Sequence, residues 1–69
     1  MKATELDKMK QDVIRSLAKN DLHVGSAGKE LFMHRNTLTN YRYKIIADTG
    51  YDPATFFGCA ELMKQLGEI

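Results

Sequence analysis

A chain of 69 residues with a formal net charge of +1 and one cysteine has little room for a core, because a domain this small buries only about 60% of its unfolded surface. Cys59 has no second cysteine with which to form an internal disulfide, so stability must come from packed helices or from a partner, and Cys59 itself reads as a small buried apolar residue. No apolar run approaches the roughly 20 residues that span a bilayer, and Met1-Lys2 is followed by Thr4, Glu5 and Asp7 rather than an apolar stretch, so a soluble, cytoplasmic protein is expected.

Residues 1–3 are expected to be loose. Thr4, with Asp7 three residues on, can cap a first helix in which Leu6, Met9, Val13 and Leu17 recur at steps of three and four. Ile14 widens that stripe, Lys8, Lys10, Asp12 and Arg15 take the other face, and the helix ends near Asn20-Asp21. Leu22 and Val24 are placed inward in the connection that follows. A short second helix begins at Val24 or Gly25 and ends near Leu31 or Phe32, with Ala27, Gly28 and Leu31 on one face. A glycine inside a helix costs about 1 kcal/mol relative to alanine, so Gly28 implies a position where a larger side chain would hold two helices apart.

Phe32 and Met33 continue neither neighbouring face and are assigned to a tight turn whose side chains plug the corner. The third helix is expected from Arg35 to Asp48, with Leu38, Tyr41 and Ile45 on its inner face and a glycine stop at Gly50. Asp52-Pro53 restarts the chain as a helix opening. The fourth helix carries Phe56, Phe57, Cys59, Ala60, Leu62, Met63 and Leu66 and fades at Gly67. Its apolar arc is wide enough to close the core from several sides, or to face another domain or a second copy. There are no strands, repeats or low-complexity tracts. The expected fold is all-α, a four-helix compact domain over residues 1–69 containing a helix-turn-helix.

The turn is followed by His34, Arg35, Asn36, Thr37, Thr39 and Asn40 at the start of the third helix. Hydrogen-bond donors and acceptors mixed with a cation suit base edges and phosphates in a DNA major groove. The charge distribution agrees: Lys29, Arg35, Arg42 and Lys44 stand against Glu30 alone between residues 29 and 46, while Asp48, Asp52, Glu61 and Glu68 outnumber Lys64 beyond it. Arginine can grip guanine, asparagine can grip adenine, and threonine can meet a thymine methyl or a phosphate. The candidate DNA-binding residues are His34, Arg35, Asn36, Thr37, Thr39, Asn40, Tyr43 and Lys44. His34 doubles as the N-cap, Arg42 and Lys44 are assigned to the phosphate backbone, and Tyr41 belongs to the core. Lys29 either touches backbone or is simply solvated.

Leu31-Phe32-Met33-His34-Arg35-Asn36-Thr37-Leu38, continued by Lys44-Ile45, Thr49-Gly50, Asp52-Pro53 and Phe56, resembles the C-terminal helix-turn-helix domain of bacterial PucR-type regulators, the group that includes purine-catabolism and sugar-diacid regulators. The resemblance covers about Leu6 to Leu66 and is sharpest at His34-Arg35-Asn36-Thr37-Leu38. Three positions depart from it: Asn40-Tyr41 stands where the family has Tyr-Arg, and Gly28 where it has alanine. The resemblance implies sequence-specific binding of double-stranded DNA by a bacterial transcriptional regulator, with an effector-sensing domain lying outside this chain.

Other chemistries fit poorly. His23, His34 and Cys59 lack zinc-ligand spacing. Gly25-Ser26-Ala27-Gly28-Lys29-Glu30 has its glycines too close for a phosphate loop, has Glu30 where a hydroxyl is needed, and follows no strand. Ser26 has no nucleophile-elbow context, so no enzymatic activity, metal or cofactor is expected. The alternative to DNA binding is a helical interaction or dimerisation module that uses the apolar fourth helix, with a homodimer as its simplest form.

Overall fold

Helix α1 (Lys8–Lys19) is the element on which the others rest: in the computed structural model, which describes residues 1–69, it packs against α2 (Val24–Glu30), α3 (Arg35–Thr49) and α4 (Phe56–Gln65). Val13, Ile14 and Leu17 are its inward stripe, and with Ala3, Leu6, Ala27, Leu38, Ile45 and Leu62 they form the buried apolar cluster. The chain is all-α, four helices and no strand, as its periodicities imply. None of its helices is long and apolar enough to cross a membrane.

The start of the chain differs from the expectation. Thr4 does not cap α1; Asp7 does, its Oδ1 accepting from the Lys10 N–H at 2.9 Å. Residues 1–3 are not loose. Ala3–Glu5 form a 3-10 turn, Ala3 is fully buried, and its N–H donates to Gln65 Oε1 at 2.7 Å. Gln11 Nε2 donates to the carbonyls of Ala3 and Leu6 at 3.3 and 3.0 Å. The reason is that Leu6 enters the core from an extended backbone before α1 begins, so the helix opens only at the next available cap. Met9, in the first turn, is consequently 40% exposed rather than part of the stripe.

Helix ends follow the left-handed-cap rule with and without glycine. Gly50 (φ 82°) and Gly67 (φ 77°) close α3 and α4 in the usual way. Asp21 (φ 54°) and Leu22 (φ 66°) do the same after α1, where the Leu22 N–H reaches the Leu17 carbonyl at 2.7 Å. Leu22 and Val24 pack against the core, as expected.

Helix α4 begins three residues later than Asp52-Pro53 suggests. Asp52 uses its Oδ1 to accept the Ala54 N–H at 2.9 Å and its carbonyl to accept the Thr55 N–H at 3.2 Å, which makes a turn around the buried Pro53. Thr55 is the true cap, its Oγ1 accepting from the Gly58 N–H at 3.1 Å. Gly58 is obligatory here, because a Cβ would overlap the Asp52 backbone. Only one side of the apolar arc is inward: Cys59 and Leu62 are buried, whereas Phe56 and Phe57 are 78% and 86% exposed. Burial pushes the Cys59 thiol above its ordinary pKa.

Two ion pairs hold α3 in place. Lys10 Nζ meets Asp48 Oδ2 at 2.9 Å. Arg42 grips Asp52 with two parallel bonds, Nε to Oδ1 at 2.9 Å and Nη2 to Oδ2 at 2.6 Å. Arg42 holds the Asp52 carboxyl below its ordinary value, against the opposing effect of burial and with help from the Ala54 N–H. A carboxylate that binds protons more weakly folded than unfolded contributes stability that is complete above about pH 4 and is lost as pH falls through the lowered folded value. Wild type is therefore expected to exceed Asp52→Asn by about 1 kcal/mol at neutral pH. In urea titrations repeated down to about pH 3 the two stabilities should converge.

Candidate nucleic-acid interface

The corner between α2 and α3 is closed by backbone alone. Leu31 caps α2 and Phe32 follows at φ 57°. The Phe32 N–H reaches the Lys29 carbonyl at 3.1 Å and the Met33 N–H reaches the Gly28 carbonyl at 2.8 Å, the paired bonds that satisfy the last carbonyls of a helix. A Cβ on Gly28 would lie 2.9 Å from the Met33 carbonyl oxygen and 3.7 Å from Arg35 Cα. The inferred reason for Gly28 is thus sharpened: it admits the turn itself as well as the start of α3. Phe32 does not plug the corner. It is 98% exposed, and Met33 alone packs against the core.

His34 caps α3, its Nδ1 accepting from the Asn36 N–H at 3.0 Å, which leaves the ring N–H on Nε2. From this cap α3 runs as one unbroken helix with Leu38 and Ile45 fully buried and Tyr41 partly buried against the core. At 100° per residue, Asn36, Thr39, Asn40 and Tyr43 share the opposite face, with Arg35 on one flank and Thr37 and Lys44 on the other. His34, Arg35, Asn36, Thr37, Asn40, Tyr43 and Lys44 are exposed and Thr39 is half-buried. The side-chain bonds of α3 are made by Arg42, Asp48 and Thr49, and its cap by His34. Arg35, Asn36, Thr37, Thr39, Asn40 and Lys44 spend none of their hydrogen-bonding capacity within the chain.

The free charge around this face is Lys29, Arg35 and Lys44, because Glu30 and Arg42 are both paired. Glu30, the one acid in the basic segment, is taken by Lys19 at 2.8 Å and by the Ser16 hydroxyl at 2.7 Å, with Asn20 Nδ2 at 3.2 Å. Those partners, Lys19 first, hold its carboxyl below the ordinary value. Lys29, Arg35 and Lys44 enter no ion pair. Lys29 and Arg35 share an open groove with Gly25, Ser26, Met33 and His34, along α2 and the start of α3. Lys44 Nζ lies 5.4 Å from the centre of the Tyr41 ring, near the other end of the face.

Arg42 is the correction. Assigned to the phosphate backbone from sequence, it is instead committed to Asp52 and so carries no free charge toward a ligand. The Ser16–Asn20–Glu30 network was also invisible in sequence, since Ser16 is a buried polar residue on an otherwise apolar stripe. A serine at a core-facing helical position, facing a segment with one unmatched acid, is the signal that could have found it.

Compared with known protein families, curated proteins and solved structures, the chain matches none of them.

A phenylalanine held at φ 57° with its ring in solvent carries a backbone penalty of about 1–2 kcal/mol, partly offset on replacement by the greater unfolded-state freedom of glycine. Phe32→Gly is expected to raise the unfolding free energy by about 1 kcal/mol, and Phe32→Val, β-branched in the same conformation, to lower it. Urea midpoints for the two variants, moving in opposite directions from wild type, check this.

Proposed function

We propose that α2, its turn and α3 form a helix-turn-helix that binds double-stranded DNA, with α3 lying in the major groove. The observation that carries this reading is the outward face of α3. It holds two asparagines and a threonine whose side chains make no intramolecular hydrogen bonds, and three unpaired cations, Lys29, Arg35 and Lys44, lie along and beside it. A merely solvated face would not need Lys29, Arg35 and Lys44 kept clear of acids while Glu30 and Asp52 are neutralised by Lys19 and Arg42. The roles follow from chemistry. Arg35, Asn36 and Asn40 read base edges, and Thr39 meets a thymine methyl or a base edge. Lys29, Thr37 and Lys44 grip phosphates and set the register. His34 keeps the helix start in place by its cap and offers Nε2–H outward, and Tyr43 extends the contact surface.

The resemblance of His34-Arg35-Asn36-Thr37-Leu38 to PucR-type regulators supports the same reading. On that resemblance the proposed role is in a bacterial transcription regulator whose effector sensing is done outside this chain.

Fluorescence anisotropy with a mixed-sequence duplex tests the proposal. The two phosphate-directed cations, Lys29 and Lys44, predict a log–log salt slope of about −1.8, which is about a 12-fold loss of affinity between about 50 and 200 mM salt. Lys44→Ala should weaken binding uniformly across sequences and flatten the slope by about 1, whereas Arg35→Ala should cost about 1–3 kcal/mol on the preferred sequence. Salt-insensitive binding, or binding untouched by both substitutions, would overturn it.

A further inference from the structure

We propose that the outer face of α4 is a self-complementary surface on which a second copy of the chain docks, antiparallel, across a two-fold axis beside Ala60. This inference does not rest on DNA binding. Phe57, Ala60, Glu61 and Lys64 stand at i, i+3, i+4 and i+7 on one side of α4 and line a single open groove with Ile69. Phe56 packs edge-to-face on Phe57 at 6.3 Å and lines the adjoining apolar groove with Ala60 and Met63. The two adjacent phenylalanines are exposed by 78% and 86% and lie outside the buried core. Both α1 and the core use the other side of α4, through Cys59 and Leu62.

The charges choose the occupant and its direction. Lys64 enters no ion pair, and Glu61 accepts only the neutral Gln65 amide at 3.0 Å. In a parallel pairing each would meet its own kind. In an antiparallel pairing about an axis between Ala60 and Glu61, Lys64 of each copy faces Phe57 of the other and lies four residues, about 6 Å along the axis, from the other copy's Glu61. That gives a cation over an aromatic ring and an ion pair, twice over. The small Ala60 at the centre lets the helices approach. Each buried phenylalanine contributes about 150–250 Å², so the two copies share about 1,000 Å², the lower edge of a specific interface. The expected dimer is weak, with a Kd of about 10–100 µM.

Sedimentation equilibrium on the intact chain without DNA, from about 5 to 500 µM, decides the matter. Wild type should pass from monomer to dimer across that range. Phe57→Ser, at a site the core does not use, should stay monomeric with an unchanged circular dichroism spectrum. Glu61→Lys should weaken the dimer at least about 10-fold, and Glu61→Lys with Lys64→Glu should restore it to within about 3-fold of wild type. A chain monomeric at every concentration overturns the proposal, since that face then belongs to a different partner. A dimer that survives Phe57→Ser overturns it too, because the contact lies elsewhere, and so does a double variant that fails to recover.

Discussion

Where α2 meets α3 there is space for backbone and nothing more. Gly28 lies so close to the Met33 carbonyl that a methyl group would be 2.9 Å from it, and the turn that achieves this closeness forces Phe32 into the left-handed region. That contact fixes the start of α3. Because α3 then runs unbroken for 15 residues to Gly50, fixing its first turn fixes which residues face Leu17 and Leu62 in the core and which face outward. The energetic cost of the corner, a phenylalanine where glycine would be easier, is met by the two backbone bonds it permits, Phe32 to Lys29 and Met33 to Gly28.

With a buried apolar cluster of nine residues, packing alone leaves a narrow stability margin. The polar ties are accordingly placed where elements distant in sequence converge. Arg42–Asp52 joins the middle of α3 to the loop before α4, Lys10–Asp48 joins α1 to the end of α3, and Glu30 is drawn to α1 by Lys19 and Ser16. Each tie pairs one acid with a cation, and Lys29, Arg35 and Lys44 are left outside every pair. One set of contacts thus does two jobs: it stiffens a small domain and leaves unpaired the cations of the face proposed to meet DNA.

The four helices were legible because their inner residues recur at the helical period: Val13 and Leu17 in α1, Ala27 and Leu31 in α2, Leu38, Tyr41 and Ile45 in α3. Gly50 ended α3 where such a glycine should. The local details were not, and each for a physical reason. Thr4 and Asp7 are both competent caps, and the choice fell to Asp7 because Leu6 must enter the core before the helix can start. Hydropathy sent Phe32 inward, while its backbone conformation kept it out. Arg42 was counted as a free cation because its partner lies ten residues on, beyond the Gly50 stop, and only the folded loop brings Asp52 back to it. Gly58 carries the same signal as Gly28, a glycine inside a helix, and marks the same kind of close backbone approach. The candidate site was read as a stretch, and the stretch lies largely exposed on α3, with Thr39 the half-buried exception.

The proposed role of α3 is tested most directly by following the backbone amides of the isotope-labelled protein by NMR as a mixed-sequence duplex is added at low and at moderate salt. Groove binding predicts shifts concentrated from His34 to Lys44, with Lys29 joining them, and smaller at the higher salt. Amides that stay still along α3, while those of Phe57 and Lys64 move with protein concentration alone, would contradict the DNA reading and leave the chain as a module that binds through α4.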